Sequence, residues 1–122
     1  MSVPVDLTAL EAEIARDGSA AFLVTASTEG RPHVVSVTVA LAAGELTMSA
    51  GRTSRRNLVA SPSATLLWPG GPGAEYCLLV DGTAWVDDDA EVVVVRPTSA
   101  ILHRLAAASA DLPYCAPVDR AG

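Results

Sequence analysis

At 122 residues the chain has the length of one domain, half of it is apolar, and its formal charge is −6. An acidic surface is a poor match for a nucleic-acid backbone, no run approaches the ~20 apolar residues of a membrane-spanning helix, and the opening Met1-Ser2-Val3-Pro4-Val5-Asp6 lacks the basic-then-apolar pattern of a secretory leader. The expectation is a cytoplasmic protein without nucleic-acid or membrane partners, small enough that dimerisation would add useful buried surface.

Residues 6–16 read as a short amphipathic helix. Asp6 or Thr8 can cap it, Thr8 and Glu11 have capping-box spacing, Leu7, Leu10 and Ile14 share a face, and Gly18 ends it. Strands then dominate. Residues 20–27 are apolar and β-branched, residues 28–32 form a turn, and residues 33–41 alternate as one long strand. Ala43-Gly44 turns that strand into a hairpin with residues 45–49. A helix follows over residues 54–60, with Ser54 as its N-cap and Ser61-Pro62 as its stop. Residues 64–68 are a short strand, and 69–73 a Pro/Gly-rich loop. Residues 75–86 carry a strand pattern with a bulge at Asp81-Gly82. Residues 87–89 are a solvated acidic turn, and 91–95 the last strand. Pro97-Thr98-Ser99 introduces a third helix over residues 100–108, and a Pro-bearing tail from about residue 109 to 122 runs extended over a surface. About six strands and three short helices in a single domain, 1–122, indicate a mainly β protein: a small antiparallel barrel or meander with flanking helices.

One stretch concentrates chemistry. In Ser49-Ala50-Gly51-Arg52-Thr53-Ser54-Arg55-Arg56-Asn57-Leu58, three arginines and several hydroxyls meet at a strand-to-helix turn, where free backbone N–H groups point at solvent. Lysine is absent, so every basic side chain is an arginine. Fixed positive charge, hydroxyl donors and unpaired amides suit a phosphate monoester. Each residue also has a plainer reading. Arg55 and Arg56 either clamp phosphate or pair with the surplus acids, and Arg52 either joins them or points outward. Ser54 either donates to phosphate or caps the helix, and Asn57 meets either a ligand or water. His33 and His103 lack the acidic partners and spacing of a metal site. Trp68 and Trp85 serve packing or ring stacking. Cys77 reads as a small buried hydrophobe, and Cys115 lies in the tail. Nucleophile-elbow, P-loop and dinucleotide-binding motifs are all missing, so no catalytic side chain and no metal ligand is assigned.

The ordered set of Phe22-Leu23-Val24-Thr25, Gly30-Arg31-Pro32-His33-Val34-Val35, Gly44-Glu45-Leu46-Thr47-Met48-Ser49, Thr53-Ser54-Arg55-Arg56-Asn57-Leu58, Ser61-Pro62, Ala64-Thr65-Leu66-Leu67-Trp68 and Val80-Asp81-Gly82-Thr83-Ala84 resembles the pyridoxamine-phosphate-oxidase-like split β-barrels, the flavin/deazaflavin oxidoreductase superfamily. The resemblance covers roughly residues 18 to 96. It implies a six-stranded antiparallel split β-barrel that forms a homodimer, with FMN or the deazaflavin coenzyme F-420 at the subunit interface. It further implies phosphate binding by Ser54, Arg55 and Arg56, and puts Ser49 and Ala50 beside the cofactor. Val35, Ser36, Val37 and Thr38 match the strand whose backbone borders the isoalloxazine ring. Three departures stand out. The tail lacks the tryptophan-and-arginine motif of the true oxidase, which disfavours pyridoxamine phosphate as substrate. Arginine stands where relatives carry a lysine near the phosphate turn. Ser36 occupies a position where many relatives have proline. The expected function is a flavin-type oxidoreductase acting on a small organic substrate; the alternative is a non-catalytic cofactor-binding or cofactor-free dimeric module.

Overall fold

The computed structural model describes residues 2–106. Within them lie eight strands and two α-helices: β1 (Ser2–Val5), α1 (Leu10–Asp17), β2 (Ala20–Ala26), β3 (Pro32–Thr38), β4 (Ala40–Ala42), β5 (Glu45–Ser49), α2 (Arg52–Ala60), β6 (Ser63–Trp68), β7 (Tyr76–Asp87) and β8 (Val92–Arg104), with a single 3-10 turn over Leu7–Ala9. All strand pairs are antiparallel, in the order β3-β2-β6-β7-β8-β5-β4, and β1 joins β8. The two ends of this path curl toward each other, with β3 approaching β5 without a ladder, which makes a half-barrel.

Alternation along each strand builds the interior. Leu23, Leu46, Leu66, Val80, Val93 and Val95 face inward and are fully buried. Leu10 and Ile14 from α1 and Leu58 from α2 add their apolar faces to the same core. Trp68 fills the interior and satisfies its indole by donating Nε1–H to the Gly18 carbonyl at 2.9 Å. That bond ties the end of α1 to β6. Ahead of α1, Asp6 accepts the Thr8 amide at 3.0 Å and caps the 3-10 turn, while α1 itself starts after Ala9 with no side-chain cap. The Thr8 amide and hydroxyl together hold the Asp6 carboxyl below its ordinary range. Leu7, expected on the buried face, is exposed because it sits in the 3-10 turn rather than in the helix proper.

Several boundaries differ from the sequence reading. The expected strand over residues 33–41 is two strands. At Val39 the backbone N–H turns to the Ser19 carbonyl, the side chain is buried, and the chain leaves β2 to pair with β5. The helix expected over residues 100–108 is absent as far as the structure describes it. Ala100 to Arg104 instead continue β8, held between β7 on one edge and β1 on the other. Tertiary pairing overrides the helical reading of Pro97-Thr98-Ser99. Pro97 is accommodated because it lies opposite Gly82, where the β7–β8 register shifts between Asp81 and Gly82. The bulge read at Asp81-Gly82 is present. The eight strands exceed the six expected, because β1 was not read and β4 is separate. Residues 107–122, including the expected tail and Cys115, lie outside the described residues.

Two predictions follow from packing and charge. A Cβ on Gly82 would lie 2.5 Å from the Arg96 carbonyl oxygen and 2.6 Å from Val95 Cγ1, so the β7–β8 backbone must shift. Gly82→Ala is expected to cost about 1–3 kcal/mol in denaturant unfolding. At the C-terminal end of α1, desolvation and the neighbouring Glu13, opposed by Arg16, raise the Asp17 carboxyl above its ordinary 3.8. A carboxyl raised on folding supports stability only while protonated, and that support fades as pH rises through the raised value. Asp17→Asn should therefore be more stable than wild type at neutral pH. The two should converge below pH 3.8, as thermal melts across pH will show.

Candidate functional site

β5 ends at Ser49, Ala50 is buried, and α2 starts at Arg52 with Gly51 as its N-cap. Ser54 therefore is not the cap: the helix begins two residues earlier than its sequence implies. Gly51 has no side chain to offer, so no side chain caps α2. Its first turn also holds no acidic residue. The positive end of the helix is left facing outward without a counter-charge of its own.

The three arginines divide by role. Arg55 is 12% exposed and already committed, donating Nη1–H to the Ala50 carbonyl at 2.7 Å and Nε–H to Asp88 Oδ1 at 3.1 Å. It braces the strand-to-helix corner against the β7–β8 turn. That brace is helped by Ala50, whose N–H donates to the Glu91 carbonyl at 3.1 Å. Glu91 holds a positive φ of 56° at this turn. Arg52 and Arg56, four apart on one helical face, are exposed, and among the described residues neither has a hydrogen-bond or ion-pair partner. With Val59, Ala60 and Asp88 they line an open pocket of about 400 Å³.

Ser54 and Asn57, both expected at a ligand, turn toward the core. Asn57 donates Nδ2–H to Thr25 Oγ1 at 3.1 Å, both residues being buried. Ser54 is 0% exposed, and its hydroxyl has no partner. A buried polar atom left this way costs about 1–3 kcal/mol. Thr25 was not singled out from sequence. Its signal is a hydroxyl on the inward side of β2, in series with Ala21 and Leu23.

The β3 residues divide by alternation. Val35 and Val37 face the interior, whereas Ser36 and Thr38 face outward and are exposed. β3 ends the sheet path, so its outer backbone edge has no strand partner among the described residues. Ser49 is exposed at the end of β5, on the strand that β3 approaches. His33 lies opposite Thr25 on the inward side and is half-buried, while His103 is exposed on β8 beside Ser2. Among the described residues no group of three His, Cys, Asp or Glu is placed to hold a metal ion, and no helix is long and apolar enough to cross a membrane. A larger cleft of about 520 Å³ lies at the opposite end of β5, between Leu7, Leu10, Glu11, Leu41 and Pro97. Its lining carries a carboxylate and no basic side chain, so the α2 corner is the better anion site.

No family model matches the chain. The uncharacterized protein Mb0449c of Mycobacterium bovis is 36% identical over 119 residues, spanning 84% of this chain and 82% of its own. Among solved structures, a Listeria innocua protein described as a pyridoxamine 5'-phosphate oxidase superposes with a TM-score of 0.64 at 14% identity, over 80% of this chain and 98% of that one. An F-420 reductase does so with a TM-score of 0.53 at 22% identity, over 66% and 87%. The FAD binding protein of Mycobacterium smegmatis gives a TM-score of 0.58 at 14% identity, over 85% and 100%. At these identities the solved structures share a fold with this chain.

The division of labour among the arginines is open to measurement. Arg55→Ala removes a charge-assisted bond to a backbone carbonyl and is expected to lower unfolding stability by about 1.5–3 kcal/mol. Little of that comes from Asp88, which is 73% exposed. Arg52→Ala and Arg56→Ala should stay within about 0.5 kcal/mol of wild type.

Proposed function

Because the chain belongs to the family of the mycobacterial protein Mb0449c and has the pyridoxamine 5'-phosphate oxidase-like fold, we propose that it binds a flavin-type cofactor through its phosphate and serves as an oxidoreductase for a small organic substrate. The observation that carries this reading is the outer face of α2, where two exposed guanidiniums line an open pocket with Val59, Ala60 and Asp88.

In this reading Arg52 and Arg56 neutralise the phosphate from one face of α2. Arg55 stays out of the ligand and fixes the corner through Ala50 and Asp88. The open backbone edge of β3, with Ser36 and Thr38 outward, borders the ring, and Ser49 stands beside it. The cofactor supplies hydride chemistry when bound, which removes the need for an acid–base pair of the protein's own. FMN is the better fit of the two coenzymes weighed. Asp88 lines the pocket, and the additional carboxylates of F-420 would meet it.

A second copy of the chain completes this reading. Outside the half-barrel, Phe22, Leu67, Leu79 and Ile101 stand side by side across β2, β6, β7 and β8, and Val24 pairs with Val34 in the row alongside. Phe22 and Val34 are exposed. An apolar wall of this breadth supports homodimerisation.

Anaerobic titration with FMN and with F-420 tests the proposal. Arg52→Ala and Arg56→Ala are each expected to weaken FMN binding by about 1–3 kcal/mol, and the pair together by more. Equal affinity in wild type and both variants would remove the phosphate role.

A further inference from the structure

Trp85 stands on the outer wall of β7 at 44% exposure, while its neighbours Ala84 and Val86 turn inward. Across β8 its register partner is Val94, and Thr47 of β5 continues the row. Indole, isopropyl and threonine methyl thus form a flat shelf spanning three strands. The Arg96 guanidinium lies over the indole, 5.4 Å from its centroid. Among the described residues its other tie is Glu45 at 3.4 Å, and its side chain is 69% exposed, so it is free to swing aside and close again.

The shelf leads to the arginine corner. The next outward row is Asp87, Val92 and Ser49, one strand repeat beyond Trp85, roughly 7 Å along β7. Asp88, the following residue, lines the pocket with Arg52 and Arg56. The open β3 edge lies at the other end of the sheet path from the shelf's strands, with β5 at the junction. A phosphate in the α2 pocket lies beside the β7–β8 turn in which the shelf's strands end.

We propose that the Trp85 shelf receives a second heteroaromatic ring, joined through the phosphate held at Arg52 and Arg56, so that the preferred ligand is a flavin dinucleotide rather than a mononucleotide. This rests on the phosphate reading of the α2 corner. Charge decides the class of ring. Glu45 and the Asp87 carboxylate flank the shelf, and Asp87 Oδ1 accepts one bond from the Ala90 N–H, which leaves its other oxygen open. A neutral purine with an exocyclic amine matches acceptors of this kind, whereas an anionic extension is repelled. Arg96 closes over the base as a second layer, its planar guanidinium suited to stacking. Two partnerless arginines match the two charges of a diphosphate as well as those of a phosphate monoester.

Calorimetric titration of FMN and FAD into wild type, Trp85→Leu and Trp85→Tyr tests the shelf apart from the anion site. Wild type is expected to hold FAD at least about fivefold tighter than FMN, the scale of one added stacking contact. Trp85→Leu should erase that margin while leaving FMN affinity within about twofold, and Trp85→Tyr should keep most of it. Equal affinities for the two ligands in wild type overturn the shelf, and so does a Trp85→Leu variant that loses FMN and FAD alike. Failure of Trp85→Leu to sediment as wild type does would make the shelf a contact between copies and end the proposal. If Arg56→Ala weakens both ligands but wild type shows no FAD preference, the phosphate reading stands and the shelf alone fails. Wild type that binds neither ligand removes both.

Discussion

The long β7–β8 ladder is the constraint on which the other elements depend. β8 is 13 residues long, and one of its edges pairs with β7 from Val92 to Arg104. Its other edge is divided, with Val92–Val95 holding β5 and Ala100–His103 holding β1. β7 in turn carries β6, and through it β2 and β3. A ladder of that length would twist steadily outward if it were regular. The shift between Asp81 and Gly82 breaks it near the middle, with Pro97 opposite and the Thr98 hydroxyl donating to the Asp81 carbonyl at 3.2 Å. The bulge adds local bend, and the bend brings the two ends of the sheet round toward each other. Gly82 is required there because the backbone of Arg96 lies where its Cβ would be.

That same ladder positions the arginine corner. The β7–β8 turn offers Asp88 to Arg55 and the Glu91 carbonyl to Ala50. The end of β5 and the start of α2 are thereby fixed to the turn, not merely to each other. Arg55 takes up the role that its neighbours are spared. With one guanidinium spent on the corner, Arg52 and Arg56 remain at the surface on the helical face away from Leu58.

Legibility from sequence followed the range of the interaction. Period-2 alternation in Phe22-Leu23-Val24-Thr25 and in residues 75–86 reports burial directly, so those strands and the Asp81-Gly82 bulge could be read. Ser99-Ala100-Ile101-Leu102 has no such signature. Its conformation is set by pairing with β7 on one edge and, on the other, with β1, a segment about a hundred residues earlier that leaves no local trace. The cluster at α2 was visible as composition, yet its inner assignment was not. Which arginine braces and which stay free depends on Asp88, thirty-three residues away. A one-turn error in helix phase was enough to put Ser54 at the cap when it belongs in the core. Thr25 stayed hidden because a lone threonine in an apolar strand looks like any β-branched residue until Asn57 is placed against it.

The start of α2 is costly as it stands, and the cost has a direction. A glycine cap forgoes only about a few tenths of a kcal/mol relative to a Ser, Asp or Asn at position 51, and the buried Ser54 hydroxyl forgoes its bond as well. A carboxylate cap would satisfy the amides, but it would also place negative charge where Arg52 and Arg56 now stand open. A glycine cap keeps the amides available and leaves room for a larger group to approach the backbone, while Arg55 supplies from the side the rigidity that a cap would otherwise give. Local stability and anion capacity compete for the same few atoms, and the glycine at position 51 leaves those atoms open to the anion that the proposed function requires.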